Sequence, residues 1–227
     1  MKKDFAFTLA EVLITLGIIG VVAAITLPSL IHKYKIKVLE NQFKKTSSTI
    51  EQAVRATAIE YSMENYFYPT PGVKMPKISN EERSKMNFFF KQQFKSIQFD
   101  NQSIFSKITK CERFNGDKCD DNIGVGYSWV YHYDPILLSD GSMISSMVFQ
   151  LHNSFDGIKV WFDTNGPFKG PNRVGYDLFV YNTGSWNYTA CPLEVGVNQY
   201  YYYGCYGYAQ KNIMPNDKTK KYWDNLK

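Results

Sequence analysis

The sequence predicts an α+β chain, one long N-terminal helix followed by an antiparallel β-sheet. Three observations predict it. Phe7 to Leu27 is a run of mostly Leu, Ile, Val, Ala and Gly in which Glu11 is the one ionisable side chain. Ile36, Leu39, Phe43, Ile50, Ala53, Val54 and Tyr61 recur at helical spacing, so they form one apolar stripe on a helix. Beyond residue 125, aromatic and β-branched segments alternate with Asp-Gly and other turn signals, the pattern of a meander. Helix first and sheet after is an α+β order.

The apolar run comes first. Its 21 residues, at about 1.5 Å each, span roughly 30 Å, the hydrocarbon thickness of a bilayer. It reads as a membrane helix. Lys2 and Lys3 precede it and His32, Lys33, Lys35 and Lys37 follow it, so the flanking charges do not orient it. A carboxylate at mid-membrane costs about 2.5–3.5 kcal/mol. Glu11 sits near the start, where the cost is smaller and the positive helix end helps. No Lys or Arg lies within the run, so a cationic partner has to come from elsewhere. A secretory signal peptide has a shorter apolar stretch, about 7–15 residues, and a plain single-span anchor leaves Glu11 unexplained.

The stretch Ala6-Phe7-Thr8-Leu9-Ala10-Glu11 resembles the type III signal sequence of type IV pilins and type II secretion pseudopilins. The resemblance implies a leader, residues 1–6, removed by a prepilin peptidase between Ala6 and Phe7. It implies N-methylation of Phe7 and an assembly role for Glu11, which meets the new amine of a neighbouring subunit. Gly20 and Pro28 stand at family positions where the helix bends or breaks. Ala6 stands where the family has Gly. The implied architecture is pilin-like: residues 7–28 form the membrane and filament-core helix, 29–62 its amphipathic continuation, and 63–227 a globular α+β domain. The implied partners are other pilin or pseudopilin subunits, the peptidase, the inner-membrane assembly machinery and membrane lipid. The implied location is the bacterial inner membrane with the C-terminal domain periplasmic, then the filament.

Composition excludes other classes. Aromatics make up 16% of the chain, with 17 Tyr and 16 Phe, which favours a β-containing domain over a bundle. Net charge is +5, without a compact basic run or nucleic-acid module, so no nucleic-acid binding is inferred. His32, His132 and His152 lie in no metal or nucleophile spacing, and no P-loop, G-x-S-x-G or H-E-x-x-H occurs, so the chain is not read as an enzyme. The cysteines are Cys111, Cys119, Cys191 and Cys205. Behind a membrane span they suggest disulfides. The expected pairs are Cys111–Cys119 and Cys191–Cys205, each closing a short loop rich in Gly, Asn or Asp; the sequence leaves the other pairings open. Zinc would need a different spacing and a nearby His.

Residues 65–78 contain three Pro and a Gly and read as a loop. Ser79 to Glu82 has capping-box form, opening a helix whose apolar face is Met86, Phe89, Phe90, Phe94 and Ile97. Residues 98–124 read as loop. Strands are expected at 126–133, 136–139, 143–151, 158–162 and 176–181, with turns at Asp140-Gly141 and Asp156-Gly157. The Tyr-rich stretch 198–210 reads as a disulfide-closed loop packed on the sheet, or as a binding platform.

Between the last two strands lies DTNGPFKGPNRVGYD, residues 163–177. It resembles a pseudopilin loop that holds calcium in the major subunit. Ca²⁺ takes six to eight oxygens, and Asp163, Asn165, Asn172 and Asp177 would supply side chains. Gly166, Gly170 and Gly175 let the backbone turn. The alternative is a β-connection whose Asp, Asn and Gly are only turn formers. The expected function is a structural subunit of a type IV pilus or a type II secretion pseudopilus. The alternative is a membrane-anchored periplasmic binding module that does not polymerise.

Overall fold

The structure, a computed structural model, describes residues 8–63, 78–97, 112, 116, 134–150, 157–183, 191 and 205–226. The expected strand at 126–133, the Cys111–Cys119 pair and the Ala6–Phe7 junction lie outside them.

Helix α1 runs unbroken from Leu9 to Glu60. Gly20 and Pro28, where the resemblance implies a bend or break in the filament, both lie inside this helix of the single chain. Pro28 removes one backbone donor, and the apolar turns on either side retain theirs. The helix ends in a Schellman motif. Ser62 takes a left-handed φ of 52°, its N–H donates to the Ile59 carbonyl, and Met63 N–H donates to the Ala58 carbonyl at 2.8 Å.

Contacts divide the chain into two units, Met1–Val38 and Leu39–Lys227. In the second unit α1 buries Leu39, Phe43, Thr46, Ile50, Ala53, Val54, Thr57 and Ala58, three and four residues apart, as the stripe requires. Arg55 and Glu51 pair at 2.6 Å on the solvent side, a contact worth a few tenths of a kcal/mol.

Helix α2 spans Asn80–Gln92. Ser79 caps it as expected: its hydroxyl accepts from Glu82 N–H at 3.2 Å, and the Glu82 carboxylate accepts from Ser79 N–H at 2.8 Å. Met86, Phe90 and Phe94 are buried. Asn87 reaches the sheet, accepting from Met147 N–H at 2.7 Å and donating to its carbonyl at 3.1 Å.

Among the described residues six antiparallel strands form one sheet: β1 (Ser96–Ile97), β2 (Ile136–Leu138), β3 (Met143–Ile144), β4 (Val148–Gln150), β5 (Gly157–Asp163) and β6 (Leu178–Asn182). β5 is central. β6 lies along one side, and β3 and β4 share the other end to end. β2 pairs with β3 and β1 with β2. The Asp140-Gly141 turn joins β2 to β3, with Gly141 at φ 91°.

Two strand expectations are corrected. Of the strand expected at 143–151, the part from 143 to 150 is split in two, because the side chains of Ser145 and Asn87 stand in for main-chain partners there. The Ser145 hydroxyl accepts from Trp161 N–H at 2.9 Å, and Asn87 brackets Met147. The last strand starts at Leu178 rather than residue 176, because Tyr176, Asp177 and Leu178 N–H all point at the Arg173 carbonyl.

The core forms around Phe43 of α1. Its ring lies 4.6 Å from Phe179, 5.4 Å from Trp223, 5.6 Å from Tyr206 and 6.2 Å from Phe162. Tyr206 belongs to helix α3, Cys205–Lys211, so the described end of the Tyr-rich stretch is helical; Tyr206 is core and Tyr208 is half-buried. Cys191 and Cys205 form the expected disulfide. A 3₁₀ turn, Trp223–Asn225, follows.

Candidate functional site

At the start of α1, Thr8 is the cap. Its hydroxyl accepts from Glu11 N–H at 3.2 Å, and Glu11 Oε2 accepts from the Thr8 N–H and hydroxyl, each at 2.8 Å. This reciprocal arrangement occupies donors that a helix start leaves unsatisfied. Glu11 thus has hydrogen-bond partners on its own chain; the Thr8-x-x-Glu11 spacing carries that signal. Downstream, Leu9, Ile14, Ile19, Ile25 and Leu30 are all exposed. The helix is long and apolar enough to cross a membrane, and its most apolar window is entirely unburied.

The second candidate is the loop between β5 and β6. Asp163 ends β5, and Asp177 lies in the turn just before β6. Thr164 N–H donates to the Asp177 carbonyl at 2.9 Å, which closes the loop and brings the two acids together. Both are fully buried. Asp163 Oδ1 accepts from Asn165 and Gly166 N–H at 3.1 and 2.8 Å. Asp177 accepts from Asn172 and Arg173 N–H at 2.8 and 2.6 Å. Burial pushes the Asp163 carboxyl up to about 7. Burial, and then the Asp163 charge beside it, push Asp177 up to about 8.

Asn165 Nδ2 donates to the Gly170 carbonyl at 2.8 Å, while its Oδ1 is buried without a hydrogen-bond partner, as is Thr164 Oγ1. Two buried acids beside two orphaned oxygens form a hard-oxygen donor set that suits a divalent cation of the calcium type. Asn172, expected as a side-chain ligand, anchors the loop through its two nitrogens. Its backbone N–H holds Asp177 and its amide Nδ2 donates to the Pro167 carbonyl at 3.1 Å. Thr164, whose hydroxyl is one of the two orphaned oxygens, is a residue the sequence motif does not single out, because threonine is an ordinary strand-end residue. Among the described residues no three His, Cys, Asp or Glu side chains cluster, so the acidic charge is two.

Neighbours hold the loop in shape. Gly166 has φ 82°, and a Cβ there would lie 1.9 Å from the Gly141 carbonyl oxygen. The loop therefore sits backbone to backbone on the β2–β3 turn, which only glycine permits. Asp140 of that turn pairs with Lys45 of α1 at 2.7 Å.

Residues 1–27 match the family model described as the prokaryotic N-terminal methylation motif, the prepilin signal of type IV pilins and pseudopilins. The chain thus opens with a prepilin-type segment. Phe7, Glu11 and Gly20 lie inside the matched stretch and Pro28 one residue beyond it. No curated protein and no solved structure matches the chain.

Proposed function

We propose that the chain is a structural subunit of a type IV pilus or type II secretion pseudopilus. A prepilin peptidase cuts between Ala6 and Phe7, Phe7 is N-methylated, and the inner-membrane machinery draws the mature subunit from lipid into a helical filament. The globular domain then stands on the periplasmic side. The observation that carries the reading is the methylation motif at residues 1–27, heading a helix whose first part is apolar and exposed.

The chemistry at Glu11 supports it. Cleavage gives Phe7 a positive amine. Inside an apolar bundle, an acid left unpaired costs about 3–5 kcal/mol. Releasing the Thr8 cap costs about 0.5–2 kcal/mol. Glu11 therefore gains by exchanging its local bonds for the amine of an adjoining subunit, which fixes axial register. The loop after β5 is a calcium site in this reading. Asp163, Asp177, Asn165 and Thr164 would hold the ion, with Asn172 shaping the loop. Bound calcium supplies the positive charge that keeps both acids ionised.

Mass spectrometry of the mature N-terminus, with electron microscopy of filaments carrying a tagged copy, tests the proposal. The expected result is a chain beginning at methylated Phe7 and present in fibres. An intact Met1 and no fibre incorporation would overturn it, and would favour the membrane-anchored binding module.

A further inference from the structure

The C-terminal segment reaches back to the cation loop. Tyr222 is fully buried, and its hydroxyl donates to the Gly175 carbonyl at 2.6 Å, across 47 positions of chain. Gly175 lies two residues before Asp177, at φ 80°. Tyr222 is itself held. The adjoining Trp223 packs on Phe43 and Phe179, and its indole N–H donates to the Ala209 carbonyl at 3.1 Å. Ala209 belongs to α3, whose first residue is tied to Cys191 by the disulfide. On the opposite flank, Gly166 rests on the β2–β3 turn. The loop is thus gripped at both ends, by a turn at Gly166 and by a tyrosine hydroxyl at Gly175.

We infer that Tyr222 is a positioning residue for the cation site. The segment 212–226 acts as a clamp: its tyrosine fixes Gly175, so that Asp177 meets Asp163 at the spacing an ion needs. The inference rests on reading the loop as a calcium site. Without the hydroxyl the Gly175 carbonyl loses a buried hydrogen bond, and the turn that carries Asp177 loses one of the restraints that set its distance from Asp163. The loss of one such bond corresponds to roughly three- to tenfold weaker binding.

The test is Tyr222→Phe in the full-length protein in detergent, titrated with CaCl₂ by calorimetry and melted in EDTA and in calcium. Tyr206→Phe is the control. The Tyr206 hydroxyl is buried without a hydrogen-bond partner, so its removal leaves the loop untouched. Tyr222→Phe is expected to weaken calcium binding roughly three- to tenfold and to shrink the calcium-induced rise in Tm; Tyr206→Phe is expected to change neither. A Tyr222→Phe protein that melts lower in EDTA but keeps the wild-type calcium affinity would overturn the clamp and leave the cation reading standing. A wild-type protein with no calcium response would overturn both, and the two failures are told apart by the wild-type titration.

Discussion

Asp163→Asn isolates the electrostatics of the buried acid pair. An asparagine Oδ1 can still accept from Asn165 and Gly166 N–H, so the turn is kept while one charge is lost. In the wild type without cation, both carboxyls lie above the ordinary range, at about 7 and about 8. The folded chain therefore holds protons that the unfolded chain has already released. That contribution to stability is complete below about pH 4, the ordinary carboxylate value, and is lost as pH rises through 7 to 8. In EDTA, wild-type stability relative to Asp163→Asn should fall between pH 5 and 8. Calcium reverses this, because it binds the ionised pair. At a hundred times its Kd a ligand adds about 2.7 kcal/mol. For a unit of this size that is roughly 5–11 °C in Tm. The assay is thermal melting at pH 5, 6, 7 and 8, in EDTA and in calcium. The wild type should gain the increment at pH 8 and lose most of it at pH 5; the variant should show little at any pH. A variant with the full wild-type increment would refute the reasoning, as would a wild-type-minus-variant difference that grows with pH in EDTA.

Other perturbations test other parts of the structure. Phe43→Ala empties the centre of the aromatic cluster and should cost about 3–5 kcal/mol, read as a lowered denaturation midpoint with an unchanged slope; a loss under 1 kcal/mol would be inconsistent with the cluster as described. Gly166→Ala meets both a left-handed φ and the Gly141 carbonyl, so calorimetry should find calcium binding abolished or nearly so, whereas unaltered binding would mean that the two turns do not constrain each other. Glu11→Val should insert into membranes normally, as fractionation would show, yet yield few filaments; normal filament yield would remove Glu11 from assembly.

What the sequence discloses depends on how far apart the interacting residues lie. The α1 stripe, the Ser79 cap and the Asp140-Gly141 turn are written in spacings of three or four residues, and each is where the pattern puts it. Thr8–Glu11 was equally legible, but an acid in an apolar run draws attention to charge rather than to capping. The split between β3 and β4 is not legible, because it depends on Asn87 meeting Met147 across sixty positions. Nor is the burial of both faces of β5: Lys159 within the strand suggests a solvent side, yet every residue from Gly157 to Asp163 is buried. In the loop, Asp163, Asn165 and Asp177 are visible as oxygen donors. Thr164 emerges only once its hydroxyl is seen to lack a partner, and Tyr222 only once the chain end folds back.

The Asn87 carboxamide bears on how this protein avoids joining its copies in the wrong way. One amide presents the same acceptor and donor that a neighbouring strand would, and Met147 gives it both of its main-chain groups. At that position an incoming β-segment from another molecule finds nothing left to bind, which is how natural sheets resist edge-to-edge aggregation. The sheet is thereby closed to strand addition from another molecule at this point.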